Sequence, residues 1–311
     1  MKTHLSTASF TSKNKTIVTI GTFDGVHIGH QKILKKITQI ANEENYESVV
    51  LTFFPHPRMV LQQDNSIKLL NTISEKEKLF ETIGIDHLII HPFDEEFSKL
   101  SAEDFVKKIL VDQLNVQKIV IGYDHRFGKN RSANLDDLIG FGIKYHFEVE
   151  QISAEEINNN AVSSTKIRNS LHDGDIETAN SYLGYHYNFT GIVVKGNQLG
   201  RTIGFPTANI SIEEEYKLLP KNGVYIVQIC IEGTDFFGMM NIGTRPTIDG
   251  TKQSVEVYIL DFDKEIYNTK LTVSVLKFIR EEKKFESFEH LKEQIEKDKV
   301  FTIQFVSSFI K

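Results

Sequence analysis

The chain has 311 residues, 40% hydrophobic and 25% charged, a net charge of −6 and a single cysteine. It contains no apolar run long enough to span a bilayer, its polar start Met1–Thr7 leads into no apolar signal segment, and one cysteine excludes an internal disulfide. The acidic balance argues against a large nucleic-acid footprint, which needs clustered Lys and Arg. Small anionic ligands stay open, because a few aimed donors suffice for them. The expectation is a cytoplasmic protein of about two domains with no membrane or nucleic-acid partner.

In chain order, apolar runs alternate with amphipathic stretches: Thr16–Ile20 as a strand, His30–Asn42 as a helix, Ser48–Phe54 as a strand and Ser74–Ile83 as a helix. His87–Ile90, Lys118–Gly122 and His146–Gln151 continue the strands, with helices over Ala102–Leu114 and Asn134–Phe141 between them. Short buried strands separated by helices predict an α/β, Rossmann-like parallel sheet with helices on both faces. A further helix starts near Ser164, which reads as its cap, and Asn158–Asn160 reads as a polar loop before it.

From about Asn188 the pattern changes to Thr-, Val-, Tyr- and Phe-rich runs broken by glycine: Phe189–Val194, Val224–Ile231, Phe236–Asn241, Ser254–Leu260 and Leu271–Lys277. These predict an antiparallel β-barrel, closed by one C-terminal helix over Phe288–Lys299. The boundary falls within Leu171–Tyr187, giving domains 1–181 and 182–311. Cys230 lies in an apolar alternation and reads as a small core residue rather than a nucleophile.

The stretch Gly21-Thr22-Phe23-Asp24-Gly25-Val26-His27-Ile28-Gly29-His30 sits where the first strand passes into the first helix. Parallel sheets place phosphates on helix N-termini at such junctions. Two imidazoles three residues apart can face one triphosphate, with Gly29 keeping the space between them open, although the four letters H-x-G-H are equally consistent with a surface turn. Downstream, Ser163-Ser164-Thr165-Lys166-Ile167-Arg168 offers hydroxyls, amides and cations for a pyrophosphate, or else only a helix cap. Phe54-Pro55-His56-Pro57 reads as a strand end stopped by two prolines, and Asp124, Arg126 and Lys129 as a solvated charged turn.

With these stretches in order, together with Pro92-Phe93-Asp94 and Gly122–Gly128, the N-terminal half resembles the FMN adenylyltransferase module of bacterial bifunctional riboflavin kinase/FAD synthetases. The resemblance implies that Gly21, Phe23, His27, Gly29 and His30 bind ATP, with His27 and His30 catalytic. It implies that Ser164, Thr165 and Arg168 hold the β- and γ-phosphates, and that Pro55, His56, Pro57, Asp124 and Phe127 line the flavin side. His125 departs from the Phe of many relatives between Asp124 and Arg126.

In the second half, Gly200-Arg201-Thr202-Ile203-Gly204-Phe205-Pro206-Thr207-Ala208-Asn209 aims a hydroxyl and an amide outward from a Gly/Pro loop. Thr207 and Asn209 offer neutral oxygens of the kind Mg²⁺ accepts, though the same letters also describe an ordinary turn. This stretch, with Gly223-Val224-Tyr225, the Asn241–Thr247 run and Glu256, resembles the riboflavin kinase signature. The resemblance implies that Gly200, Arg201, Gly204, Pro206, Thr207 and Asn209 bind ATP, that Thr207 and Asn209 serve Mg²⁺, and that Glu256 is the base for the riboflavin 5′-hydroxyl. Without it, Glu256 is a solvent-facing strand residue. Tyr258 stands where relatives often have His, and Arg280 is assigned a flavin contact by likeness.

The expected protein is a transferase with two activities, taking riboflavin and ATP to FMN and ADP, then FMN and ATP to FAD and pyrophosphate, with Mg²⁺ as cofactor. Two rivals are an adenylyltransferase for another phosphate ester, which has no need of a kinase barrel, and a flavin-sensing regulator that keeps the fold without turnover.

Overall fold

The run Thr16–Ile20 is buried at every residue in the computed structural model, which describes residues 1–62, 66–123, 125–153, 162–196, 198–247 and 250–309. It forms β2 of a six-stranded sheet with β1 (Lys2–His4), β3 (Glu47–Phe54), β4 (His87–Pro92), β5 (Val116–Gly122) and β6 (Glu148–Ile152). The order is β1-β4-β3-β2-β5-β6, with every pairing parallel. Alternate residues of each strand face opposite layers, because successive side chains on a strand point to opposite sides. Ile17, Val50, Leu88 and Val120 pack with Leu34 and Ile37 of α1 (Ile28–Glu44) and with Phe80, while Val18, Val49, Ile89 and Ile119 pack on the other side with Val106, Leu110 and Leu138. Helices therefore cover both faces, as the alternation predicted.

The intervening helices are α2 (Pro57–Leu61), α3 (Ile73–Ile83), α4 (Glu95–Ser98), α5 (Ala102–Asp104, continuing as a π-helix over Phe105–Val111) and α6 (Leu135–Tyr145). Strand order reverses between β2 and β5, so their C-terminal ends open the crevice in which sheets of this kind bind ligands. The edge strand β1 escaped the sequence reading because three residues, two of them exposed, carry no apolar period.

The chain divides into two units, Met1–Ser164 and Thr165–Lys311. In the second, a closed barrel runs β10-β11-β8-β7-β12-β9, built from β7 (Asn188–Val194), β8 (Ala208–Ser211), β9 (Gly223–Ile231), β10 (Thr234–Thr247), β11 (Gly250–Ile259) and β12 (Lys270–Arg280). All of its pairings are antiparallel. Ahead of the barrel lie α7 (Ser164–Asp173), whose first residue is Ser164, and α8 (Ile176–Leu183), whose Asn180 Nδ2 donates to Val275 O at 2.9 Å. A short α9 (Leu199–Thr202) follows β7. Strand β8 begins within what reads in sequence as the Gly200–Asn209 loop and runs two residues past it. Cys230 is half-buried and alternates with the buried Ile229 and Ile231, so it sits on the outward face of β9 rather than in the core. The Asn158–Asn160 stretch lies outside the described residues.

The last helix, α10 (Phe288–Phe309), runs ten residues beyond its predicted end. It is fastened by a fork: Arg280 Nε and Nη2 donate to Asp298 Oδ2 at 3.0 and 2.8 Å, and Asp298 is 5% exposed. Removing one partner of such a pair leaves the other buried without compensation. Asp298→Ala should cost the barrel unit about 2–4 kcal/mol, read as an earlier urea midpoint for its unfolding. An unchanged midpoint would show that the fork is dispensable.

Candidate active site

At the C-terminal end of β2 the loop Gly21–His27 leads into α1, and His27 is that helix's N-cap, its Nδ1 accepting from His30 N at 3.3 Å. Ser, Thr, Asp and Asn are the usual caps, so an imidazole here puts a larger donor-acceptor group at the positive end of the helix. The His27 and His30 rings stack with centroids 3.6 Å apart, and Phe23 meets His30 edge-on at 5.2 Å. Among the described residues, His30 Nδ1 is buried without a hydrogen-bond partner. Burial, with the neighbouring His27 and Lys76, holds the His30 imidazole well below its ordinary pKa, so it is neutral near pH 7. A buried imidazole nitrogen left open beside the amides of a helix start suits an anionic oxygen.

Ser164, the last residue of the first unit, donates its Oγ to Asp24 O of the same loop at 2.8 Å. Gly29 is buried, and a Cβ on Gly21 would stand 3.2 Å from the Phe23 ring. Thr165 and Arg168 follow on α7, in the second unit. On the expected flavin side, the Phe54–Pro55 peptide is cis, His56 Nδ1 accepts from Arg58 N at 3.1 Å as the cap of α2, and Pro57 opens that helix rather than only ending a strand. Phe127 is buried in the core against Phe105 at 6.0 Å, where it anchors the turn after β5. Asp124 lies outside the described residues.

In the barrel, Val255, Val257 and Ile259 face the core, so Glu256 projects from the other side of β11. Its register partners are Asn209 on β8 and Asn241 on β10, which sets three polar residues in one row across neighbouring strands. Thr207 Oγ1 donates to Glu256 Oε2 at 3.2 Å. A hydroxyl, an amide and a carboxylate thus converge from residues that the sequence separates by 49 positions. This is an all-oxygen donor set, and oxygen ligands are what Mg²⁺ takes.

The loop that delivers Thr207 is set by glycine. A Cβ on Gly200 would lie 2.2 Å from Phe205 O, and Gly204 has φ +89° with open space around it, where a phosphate can approach the backbone. Phe205 N donates to Gly200 O at 2.8 Å, closing the turn. Arg201 and Pro206 are exposed on it. Phe205 itself is buried edge-on against Tyr258 at 5.2 Å, so Tyr258 serves as packing for the loop. Arg280 has its guanidinium engaged by Asp298, and what it can offer a ligand is the position of the segment after β12.

Four residues near these sites were given no role in the sequence. Asn241 belongs to the run quoted there, but only register sets it beside Glu256. Asp24, within the Gly21–His27 loop, and Lys76, which donates to that loop at Thr22 O, are buried polar residues. Gly196 packs its Cα against the Asn209 amide, and a Cβ there would fall 2.2 Å from Asn209 Nδ2.

A doubly wound sheet with imidazoles at its switch-point helix, joined in sequence to a barrel with a carboxylate beside a hydroxyl and an amide, defines a two-site enzyme that handles phosphate groups. The chain matches the FAD synthetase family model over residues 9–166 and the riboflavin kinase model over residues 183–306. It is 39% identical to the bifunctional riboflavin kinase/FMN adenylyltransferase of Listeria monocytogenes, over 97% of this chain and 95% of that one, and 38% identical to its counterpart from Bacillus subtilis over 96% and 94%. A solved structure from Streptococcus pneumoniae described as a macrolide-efflux protein superposes with a TM-score of 0.89 at 30% identity, covering 97% of this chain and 98% of that one. The chain belongs to the bifunctional riboflavin kinase/FMN adenylyltransferase family.

Gly196→Ala tests the barrel geometry, because the clash falls on a side-chain amide that can swing away rather than on backbone. The variant should fold, yet lose FMN formation at least about tenfold by displacing Asn209, while FAD formation from supplied FMN is unchanged. Wild-type FMN formation would contradict the role given to Asn209.

Proposed function

We propose that the barrel unit transfers the γ-phosphoryl group of ATP to the 5′-hydroxyl of riboflavin, giving FMN and ADP, and that the sheet unit transfers AMP from ATP to FMN, giving FAD and pyrophosphate. The observation that carries this reading is the convergence of Thr207, Asn209 and Glu256 on one patch of the barrel. Phosphoryl transfer is mostly positioning and charge neutralisation, with one group to orient the nucleophile. Glu256 accepts the proton of the riboflavin hydroxyl as its oxygen attacks the γ-phosphorus and the bond to the β-phosphate oxygen breaks. Thr207 and Asn209 would hold Mg²⁺, which when bound neutralises charge on the phosphates. Gly200 and Gly204 leave the backbone open to the nucleotide, with Arg201 and Pro206 at its edge.

In the sheet unit, His27 and His30 bind the ATP phosphates, and the amides of α1 meet the charge that grows on the α-phosphate as an FMN phosphate oxygen attacks it. Ser164, Thr165 and Arg168 hold the departing pyrophosphate, and Pro55, His56, Pro57, Asp124 and Phe127 shape the flavin side. A sensor without turnover has no need of an open buried nitrogen at His30 or of a carboxylate set against Thr207, and both are present.

Two variants separate the activities. Glu256→Gln should lower FMN formation from riboflavin and ATP by about 10²–10⁴-fold and spare FAD formation from FMN, while His30→Ala should do the reverse, both read by chromatography of the flavins. A folded variant that loses both activities together would contradict the assignment.

A further inference from the structure

Lys76, on the first turn of α3, is 2% exposed, and its Nζ donates to Thr22 O at 2.9 Å. Asp24 acts on the ammonium through space, but its own Oδ1 accepts from Leu70 N at 2.9 Å and Asn71 N at 3.5 Å. Glu75, beside Lys76 on α3, accepts from Thr72 N at 2.9 Å to cap the helix. A buried ammonium with one carbonyl partner costs several kcal/mol that methionine or leucine would avoid while filling the same volume. Its place therefore calls for an explanation beyond packing.

The segment it grips is strained. Phe23 and the fully buried Val26 have φ of 46° and 36°, and a β-branched residue in the left-handed region persists only where its surroundings over-determine it. Three side chains do so here: Lys76 on Thr22 O, Ser164 on Asp24 O, and Gln31 Nε2 on Val26 O at 2.9 Å. Of these, Lys76 alone brings charge, and it acts on the His30 imidazole through space.

We propose that Lys76 is a positioning residue for adenylyl transfer, fixing the Gly21–His27 loop through the Thr22 carbonyl and supplying a buried positive charge near His30 that is completed by a nucleotide triphosphate. This rests on the reading of the His27–His30 pair as the seat of the ATP phosphates. Among the described residues, the charged and titratable groups that act on His30 are His27 from the helix cap and Lys76 from α3, with Asp24 acting on Lys76. His27 and Lys76 both push the His30 pKa down, so neutralising position 76 lets it rise toward the ordinary histidine value.

The test uses the full chain with FMN, ATP and Mg²⁺, and takes riboflavin phosphorylation by the same preparation as the folding standard. Lys76→Gln keeps a donor for Thr22 O and removes the charge, Lys76→Met removes both, and Lys76→Arg keeps the charge. Expected are an increase of about tenfold in the KM for ATP in FAD formation for Lys76→Gln, a larger one for Lys76→Met, and near wild-type behaviour for Lys76→Arg, with FMN formation from riboflavin constant. The His30 titration midpoint, followed by NMR of the ligand-free protein, should rise in Lys76→Gln and stay put in Lys76→Arg. A wild-type KM for ATP in Lys76→Gln, or an unmoved His30 midpoint, would overturn the proposal for Lys76 alone. Undiminished FAD formation by His30→Ala would instead overturn the reading of the site on which it rests.

Discussion

The hydrogen bond from His30 N to His27 Nδ1 is the constraint on which the sheet site depends. It makes one imidazole the cap of α1 and stacks the second against it, so both rings stand at the end of the helix where partial positive charge accumulates. A serine or aspartate would cap the helix as well but would carry no second nitrogen toward a ligand. The positive φ at Phe23 and Val26 follows from the same demand, since the chain must turn sharply from β2 to aim these rings. The buried contacts of Asp24, Lys76 and Ser164 hold that turn in place.

In the barrel, strand register does the corresponding work. Because β8 and β10 flank β11, Asn209 and Asn241 are delivered to either side of Glu256 with no loop that has to find its place. Only Thr207 comes from a turn, and the glycines at 196 and 200 let that turn lie close to its neighbours. A rigid sheet presents the Glu256 carboxylate, and a tight loop with open backbone brings the Thr207 hydroxyl to it. Sites built this way keep their geometry at little entropic cost when substrate binds.

Much of this was legible in the sequence. Strand periodicity marked five of the six sheet strands, and in four of them Ile17–Val18, Val49–Leu51, Leu88–Ile89 and Ile119–Ile121 form apolar runs of the kind that a sheet covered on both faces requires. The switch from helix-separated runs to Gly-broken runs marked the barrel. The candidate residues His27, His30, Thr207, Asn209 and Glu256 were legible through residue type and family likeness. Strand β8 was hidden because Gly204 and Pro206 read as a turn, although the chain straightens into β8 at Ala208, two residues past the proline. Lys76 was hidden for a different reason: its partner Thr22 lies 54 residues away, and a lysine in an amphipathic helix reads as solvated until the packing is seen. Arg280 was given a flavin contact by family likeness alone, and its ion pair with Asp298 was hidden because that partner lies 18 residues on, in a helix rich in charge.

The claim that two separate phosphate chemistries share this chain is tested most directly by label transfer. Riboflavin is incubated with the enzyme, Mg²⁺ and ATP labelled at either the α- or the γ-phosphate, and the flavins are separated. The account predicts γ-label in FMN, retained in FAD, and α-label in FAD but never in FMN. Label from the α-phosphate in FMN, or FAD formed without it, would contradict the account.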